Sequence, residues 1–269
     1  MVLACHLLST PNVETKLHRR RFIERVAKAG AGLAAAPALL NFAPTAFAAA
    51  TKDKPLTLCM VSGSEEYKSN ESLAAFQELV EKKFPIKCSR AFWKSKTELP
   101  GLDALATCDV MLVFTKRLEP PADQLELIKK YCLAGRPIVG LRTASHAFQK
   151  WLEFDHLILG GDYHSHYGSG PTTKVAIASG ASDHPILKGV EPFETPTKLY
   201  KNPHIAEDTN LLLTGTIPEH TEPVAWTRKN HDGRVFYTSL GGPDDFKKKV
   251  FQTMLVNAIF WTAERKPTT

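Results

Sequence analysis

An α/β fold on a central, mostly parallel sheet is predicted by two features of this chain. Short apolar runs alternate with amphipathic segments through residues 56–151, and the punctuation between them is Gly, Pro and Asn. The first run, Leu56–Ser62 (LTLCMVS), ends at Gly63 and has the length and flanks of a buried strand. Asn70–Lys83 follows with Leu73, Phe76 and Val80 near the helical period. Ile86–Phe92 reads as a second strand and Asp109–Phe114 (DVMLVF) as a third. Pro120 and Pro121 open a helix through Leu125, Ile128 and Cys132 that Gly135 closes. Pro137–Leu141 is a fourth strand, and Ser145–Trp151 a short helix. Strands separated by helices pair in parallel through crossovers.

The second half changes character. Thr173–Ala178, Leu211–Thr216, Pro223–Thr227 and Val235–Leu240 are strand-like, with turns rather than helices between them. Asn230-His231-Asp232-Gly233 is a hairpin turn. Asp244–Glu264 is the closing helix, with Phe246, Val250, Met254, Ile259 and Trp261 as its apolar residues. The absence of repeats and linkers makes residues 52–265 a single domain.

Charge separates the first 48 residues from the rest. The chain carries a net +6 over 269 residues, with a pI near 9.0. Six basic and two acidic residues fall within 1–48, leaving 28 basic against 26 acidic for the remainder. A near-neutral body argues against nucleic acid as partner. The basic segment instead reads as a twin-arginine-type export signal. Arg19-Arg20-Arg21 precede Phe22-Ile23, an Ala/Gly-rich run reaches Leu40, and Ala46-Phe47-Ala48 suits a signal peptidase. Pro37, Pro44 and the mild hydrophobicity argue against a lasting membrane span. The expected location is the periplasm or another exported setting, which permits disulfides among Cys59, Cys88, Cys108 and Cys132. The alternative is four small buried hydrophobes.

In an open parallel sheet, ligands sit beyond the carboxyl ends of the strands. Residues just after strands are therefore the candidates. Glu65 follows strand one, Lys116 and Arg117 follow strand three, and Asp244 follows the last strand. Strand four leads into Arg142-Thr143-Ala144-Ser145-His146, a sharp strand-to-helix elbow with Arg142 at its tip. Arginine binds carboxylate, phosphate or a polarised oxygen. Ser145 is either a nucleophile or a helix cap. Gly160-Gly161-Asp162-Tyr163-His164-Ser165-His166 is the densest polar run. In extended chain Asp162, His164 and His166 share one face. They would form either an acid–base set or a metal centre, with a polar surface loop as the third reading. Trp226 ends a strand as a sugar-stacking face or a core residue. Neither a G-x-G-x-x-G nor a Walker loop is present, and no cofactor is implied.

Taken together, GLRTASHAF, GGDYHSHYG, DHPILKGV, EPVAWTRKNHDGRVFYTSLGGPDDF and FQTMLVNAIFWT resemble the ThuA-like (trehalose utilisation) family across residues 56–265. The resemblance implies a flavodoxin-like, three-layer fold akin to class I glutamine amidotransferases, and a part in carbohydrate metabolism. Amidotransferases place Cys at the elbow and His-Pro-Glu after the last strand. This chain has Arg142 and Gly242-Pro243-Asp244 there, so glutaminase chemistry is not expected. ThuA-like relatives often carry His at both places, and this sequence departs at both. The expected activity is binding or transformation of a sugar or oxidised sugar. Arg142, His146, His164, His166 and Asp244 are the candidate catalytic groups. Glu65, Lys116, Asp162, Tyr163 and Trp226 are the expected substrate contacts. The rival readings are a non-catalytic sugar-binding module and a metal-dependent hydrolase built on Asp162, His164 and His166. A small-molecule carbohydrate is the expected partner, and a homodimer is compatible with the sequence.

Overall fold

The computed structural model describes residues 54–267. Residues 1–48, the segment expected to be an export signal, lie outside them. The nine strands form one sheet in the order β2-β1-β3-β4-β9-β8-β7-β5-β6. β1 (Leu56–Gly63), β2 (Ile86–Phe92), β3 (Val110–Thr115), β4 (Ile138–Leu141) and β9 (Gly233–Thr238) make the parallel half. β8 (His220–Asn230), β7 (Asn210–Ile217), β5 (Thr173–Ile177) and β6 (Phe193–Thr195) extend it antiparallel from β9. The sheet is therefore mixed, not mostly parallel. The cause is local: β8 and β9 are joined by the tight turn at His231 (φ 54°), which forces antiparallel pairing.

Two apolar clusters lie on opposite faces of the parallel half, as strand alternation requires. Leu58 and Met60 of β1 join the cluster holding α1 (Ser69–Lys83) and α3 (Lys249–Thr262). Cys59 and Val61 join the one holding α2 (Ala122–Leu133). Three cysteines are buried and Cys88 is half-buried; all four are free thiols.

Two expected helices differ. Residues Arg142–His146 make only a 3₁₀ turn, because the Ala147 carbonyl and Gln149 N–H bond to Leu118 and pull the chain into a bridge. The closing helix is split into a 3₁₀ turn, Asp245–Lys247, and α3. The Asp245 carboxylate accepts the N–H groups of Gly241 and Gly242, each at 2.9 Å, and fixes the chain ahead of the helix.

Candidate functional site

Parallel pairing sends the chain out of β1, β3 and β4 at one edge of the sheet. A cavity of about 210 Å³ opens there. Glu66 and Tyr67 enter from the turn after β1, Lys116 and Arg117 from the end of β3, and His146 from the elbow after β4. Tyr163, Ser165 and His166 close it from the Gly160–Tyr167 run, and Tyr200 from the chain after β6.

The elbow has the strained geometry its position suggests. Arg142 sits at φ 48°, in the left-handed region that a side-chain-bearing residue rarely adopts. Its side chain does not reach the cavity: Arg142 is 0% exposed. One guanidinium nitrogen donates to the carbonyls of Lys198 at 2.8 Å and Ser239 at 2.5 Å. The other donates to the Tyr67 hydroxyl at 3.2 Å. The guanidinium carbon lies 3.8 Å from the Tyr200 ring centre and 4.9 Å from that of Tyr67. The expected direct contact with substrate is corrected on this point. Arg142 acts behind the wall, orienting two tyrosines that line the cavity.

His146 is the imidazole at the centre. Its ring stacks on Tyr163, with centres 4.4 Å apart and an 18° interplanar angle. Nδ1 lies 3.1 Å from the Ser145 hydroxyl, leaving Nε2 free for a ligand. Burial, followed by the charges of Arg117, Lys116 and Arg142, pushes the His146 pKa down to about 3. The ring is therefore neutral at physiological pH. Lys116 pairs with Glu66, and that hydrogen bond holds the Glu66 carboxyl below the usual range. Arg117, exposed and also left-handed (φ 48°), makes no ion pair among the described residues. The cavity therefore keeps one uncommitted cation.

The Gly160–Tyr167 run is not a uniform extended strand. Ser165 takes φ 105°, which breaks the alternation that would put His164 and His166 on one face. His166 lines the cavity, with Nδ1 2.8 Å from the Tyr167 carbonyl. His164 points elsewhere: its Nε2 lies 2.7 Å from Asp162 Oδ1, while His204 Nδ1 lies 3.4 Å from Oδ2. Asp162 is thus engaged by two imidazoles outside the cavity. Among the described residues no group of three or more His, Cys, Asp or Glu is placed to share a cation. The expected Asp162–His164–His166 constellation is corrected to a His164–Asp162 pair and a separate His166.

A buried carboxyl holds this run in place. Asp155 Oδ2 accepts the Tyr163 N–H at 3.0 Å. Its neighbour is Gly161, where a Cβ would lie 2.2 Å from Asp155 Oδ1. Glycine is required there by this close approach. Burial, aided by the Asp162 charge, raises the Asp155 pKa to about 7.

Two further expectations change. Trp226 is 0% exposed and donates its indole N–H to the Leu159 carbonyl at 2.8 Å, so it has no face for a sugar. Asp244 is solvent-facing and pairs with Lys247 at 2.8 Å. The carboxylate with a structural task is its neighbour Asp245, fully buried and hydrogen-bonded by Gly241, Gly242, Thr195 and Thr197. Glu65 lines a second cavity beside the first. Sequence reading missed Tyr67, Tyr200 and Ser165 of the first cavity and Trp93 of the second. Trp93 immediately follows β2, and the same rule about strand ends would have found it. Tyr200 lies far from any parallel strand end and gives no such signal.

A family model described as trehalose utilisation, ThuA, matches residues 58–262. No curated protein matches the sequence. Among solved structures, a protein described as ThuA-like from Bacteroides uniformis is similar at TM-score 0.63 and 18% identity, covering 79% of this chain and 93% of that one. Another from Parabacteroides merdae gives 0.62 and 15%, covering 80% and 92%. A cytoplasmic protein of Salmonella typhimurium gives 0.53 and 14%, covering 77% and 99%. At these identities the likeness is one of fold.

Proposed function

The chain belongs to the ThuA, trehalose-utilisation family, and from that premise we propose that its edge cavity binds a sugar or oxidised sugar. One observation carries this reading. Three tyrosines (Tyr67, Tyr163 and Tyr200), the free cation Arg117 and a neutral His146 converge on a single cavity. The partly exposed rings of Tyr67 and Tyr163 present flat apolar faces that suit the C–H faces of a pyranose, and the buried Tyr200 backs them. Lys116, Arg117 and Glu66 supply donors and an acceptor for hydroxyl, carbonyl or carboxylate groups. In either tautomer, His146 Nε2 can exchange a hydrogen bond or a proton with a substrate oxygen without carrying charge at rest. Such a group suits proton movement at a carbonyl-bearing sugar.

Glutaminase chemistry has no support. No cysteine lines the cavity, and the elbow residue is Arg142, whose two terminal guanidinium nitrogens are engaged by Lys198, Ser239 and Tyr67. The buried Arg142 also favours a second reading, a sugar-binding module without turnover, because the tip of the elbow carries an arginine in place of a nucleophile. Helices on both faces of the parallel half fit the three-layer, amidotransferase-like arrangement that the family resemblance implies. The basic segment before residue 49 supports export of the protein before it meets its ligand. Among the described residues no helix is long and apolar enough to cross a membrane.

The test is a thermal-shift screen of the purified protein against sugars, keto-sugars and sugar acids. A ligand at 100-fold its Kd adds about 2.7 kcal/mol, or about 5–10 °C for a domain of roughly 220 residues. Turnover of the stabilising sugar, followed by NMR, separates the enzyme from the binding module. A screen in which no sugar raises Tm refutes both.

A further inference from the structure

The edge cavity does not stand alone. A second cavity of about 300 Å³ adjoins it, and Glu66, Lys116 and Arg117 line both. Its other walls are Gly63, Glu65, Trp93 and Lys96. The first cavity alone, about 210 Å³, is smaller than the ~300–1,000 Å³ of typical small-molecule sites. Joined to its neighbour, it falls within that range. We propose that the second cavity is a subsite for another sugar unit, with the Trp93 indole as its stacking platform. This rests on the sugar-binding reading of the first cavity and names the ligand class as a disaccharide or glycoside, either neutral or oxidised.

The platform is built into the sheet. Trp93 immediately follows β2, and its N–H donates to the Ser62 carbonyl at 2.9 Å, continuing the β1–β2 ladder. Trp93 packs against the cluster under α2 and remains partly exposed. The floor is Gly63, where a Cβ would lie 2.5 Å from Leu118 Cδ1. A larger residue there would have to displace the Leu118 side chain. Glu65 makes no ion pair among the described residues, so its carboxylate is available to ring hydroxyls. Arg117 stands between the two cavities, where a cation can hydrogen-bond a bridging oxygen or a carboxylate. Trp93 and Glu65 also wall a third hollow, of about 280 Å³, so the groove continues past the indole.

The experiment is calorimetric titration with matched probes: glucose against maltose and trehalose, and gluconate against maltobionate. At least one two-unit probe is expected to bind tenfold or more tighter than its one-unit counterpart, a difference of about 1.4 kcal/mol. Trp93→Ala should remove that advantage while leaving one-unit affinity within twofold, which also shows that the variant is folded. Trp93→Phe, with a smaller ring, should retain part of it. Two-unit probes that bind no better than one-unit probes refute the subsite and leave the first cavity's reading intact. So does an advantage that survives Trp93→Ala, or a variant that weakens both probe classes equally. If no probe of either class binds, the underlying sugar reading fails and the subsite fails with it.

Discussion

Replacing His146 with Gln should flatten part of the acid sensitivity of folding. The ring's folded pKa is about 3 because burial and three cations oppose its protonation, whereas an unfolded histidine titrates near 6.5. Between these values the unfolded chain takes up a proton that the folded chain refuses. Stability is therefore unaffected by this group above about pH 6.5 and falls as pH drops toward 3. Linkage gives a loss of about 2 kcal/mol between pH 7 and pH 5, and the ring's partial exposure makes that an upper bound. Urea unfolding at both pH values, on wild type and His146→Gln, isolates the group by difference. Wild type should lose about 1–2 kcal/mol more than the variant over that interval. Equal losses, or a His146 ring that titrates near pH 6 by NMR, would refute a neutral imidazole in the cavity.

Other substitutions read the supports of the site. Arg142→Met should lower stability by about 2–4 kcal/mol, since it leaves the Lys198 and Ser239 carbonyls unpaired; urea denaturation measures it. Asp245→Ala removes hydrogen bonds from two backbone N–H groups and two threonines and should cost about 3–5 kcal/mol by the same assay. Asp155→Asn should change the pH profile in the sense opposite to His146→Gln. The folded Asp155 pKa is raised to about 7 from the ordinary 3.8, so wild type loses stability as pH rises through that window. The variant should gain on wild type by up to about 4 kcal/mol between pH 4 and pH 8. A constant difference across that range would show that Asp155 ionises normally.

Much of the scaffold was legible because strand and helix periods are local. β2 begins and ends where the predicted strand Ile86–Phe92 does, and the hairpin at Asn230–Gly233 follows from its turn residues. The two misread helices failed for non-local reasons: a bridge to Leu118 and a carboxylate at Asp245, neither visible as a period. The site was legible only in part. His146, Lys116, Tyr163 and His166 fall in the cavity because strand ends and loop polarity mark them. Arg142 was identified as the elbow residue, yet its burial depends on carbonyls 56 and 97 residues away. Alternation along Asp162–His166 failed at one dihedral, that of Ser165. Tyr200 reaches the site through an isolated bridge to His166, a pairing no local pattern encodes.

The central claim is that a sugar occupies the cavity walled by Tyr163 and Arg117. Calorimetric titration of the best sugar from the screen into wild type, Tyr163→Ala and Arg117→Ala tests it most directly. Saturable binding to wild type, weakened tenfold or more in each variant, is the expected result. Binding that survives both substitutions unchanged would place the sugar elsewhere and contradict the claim.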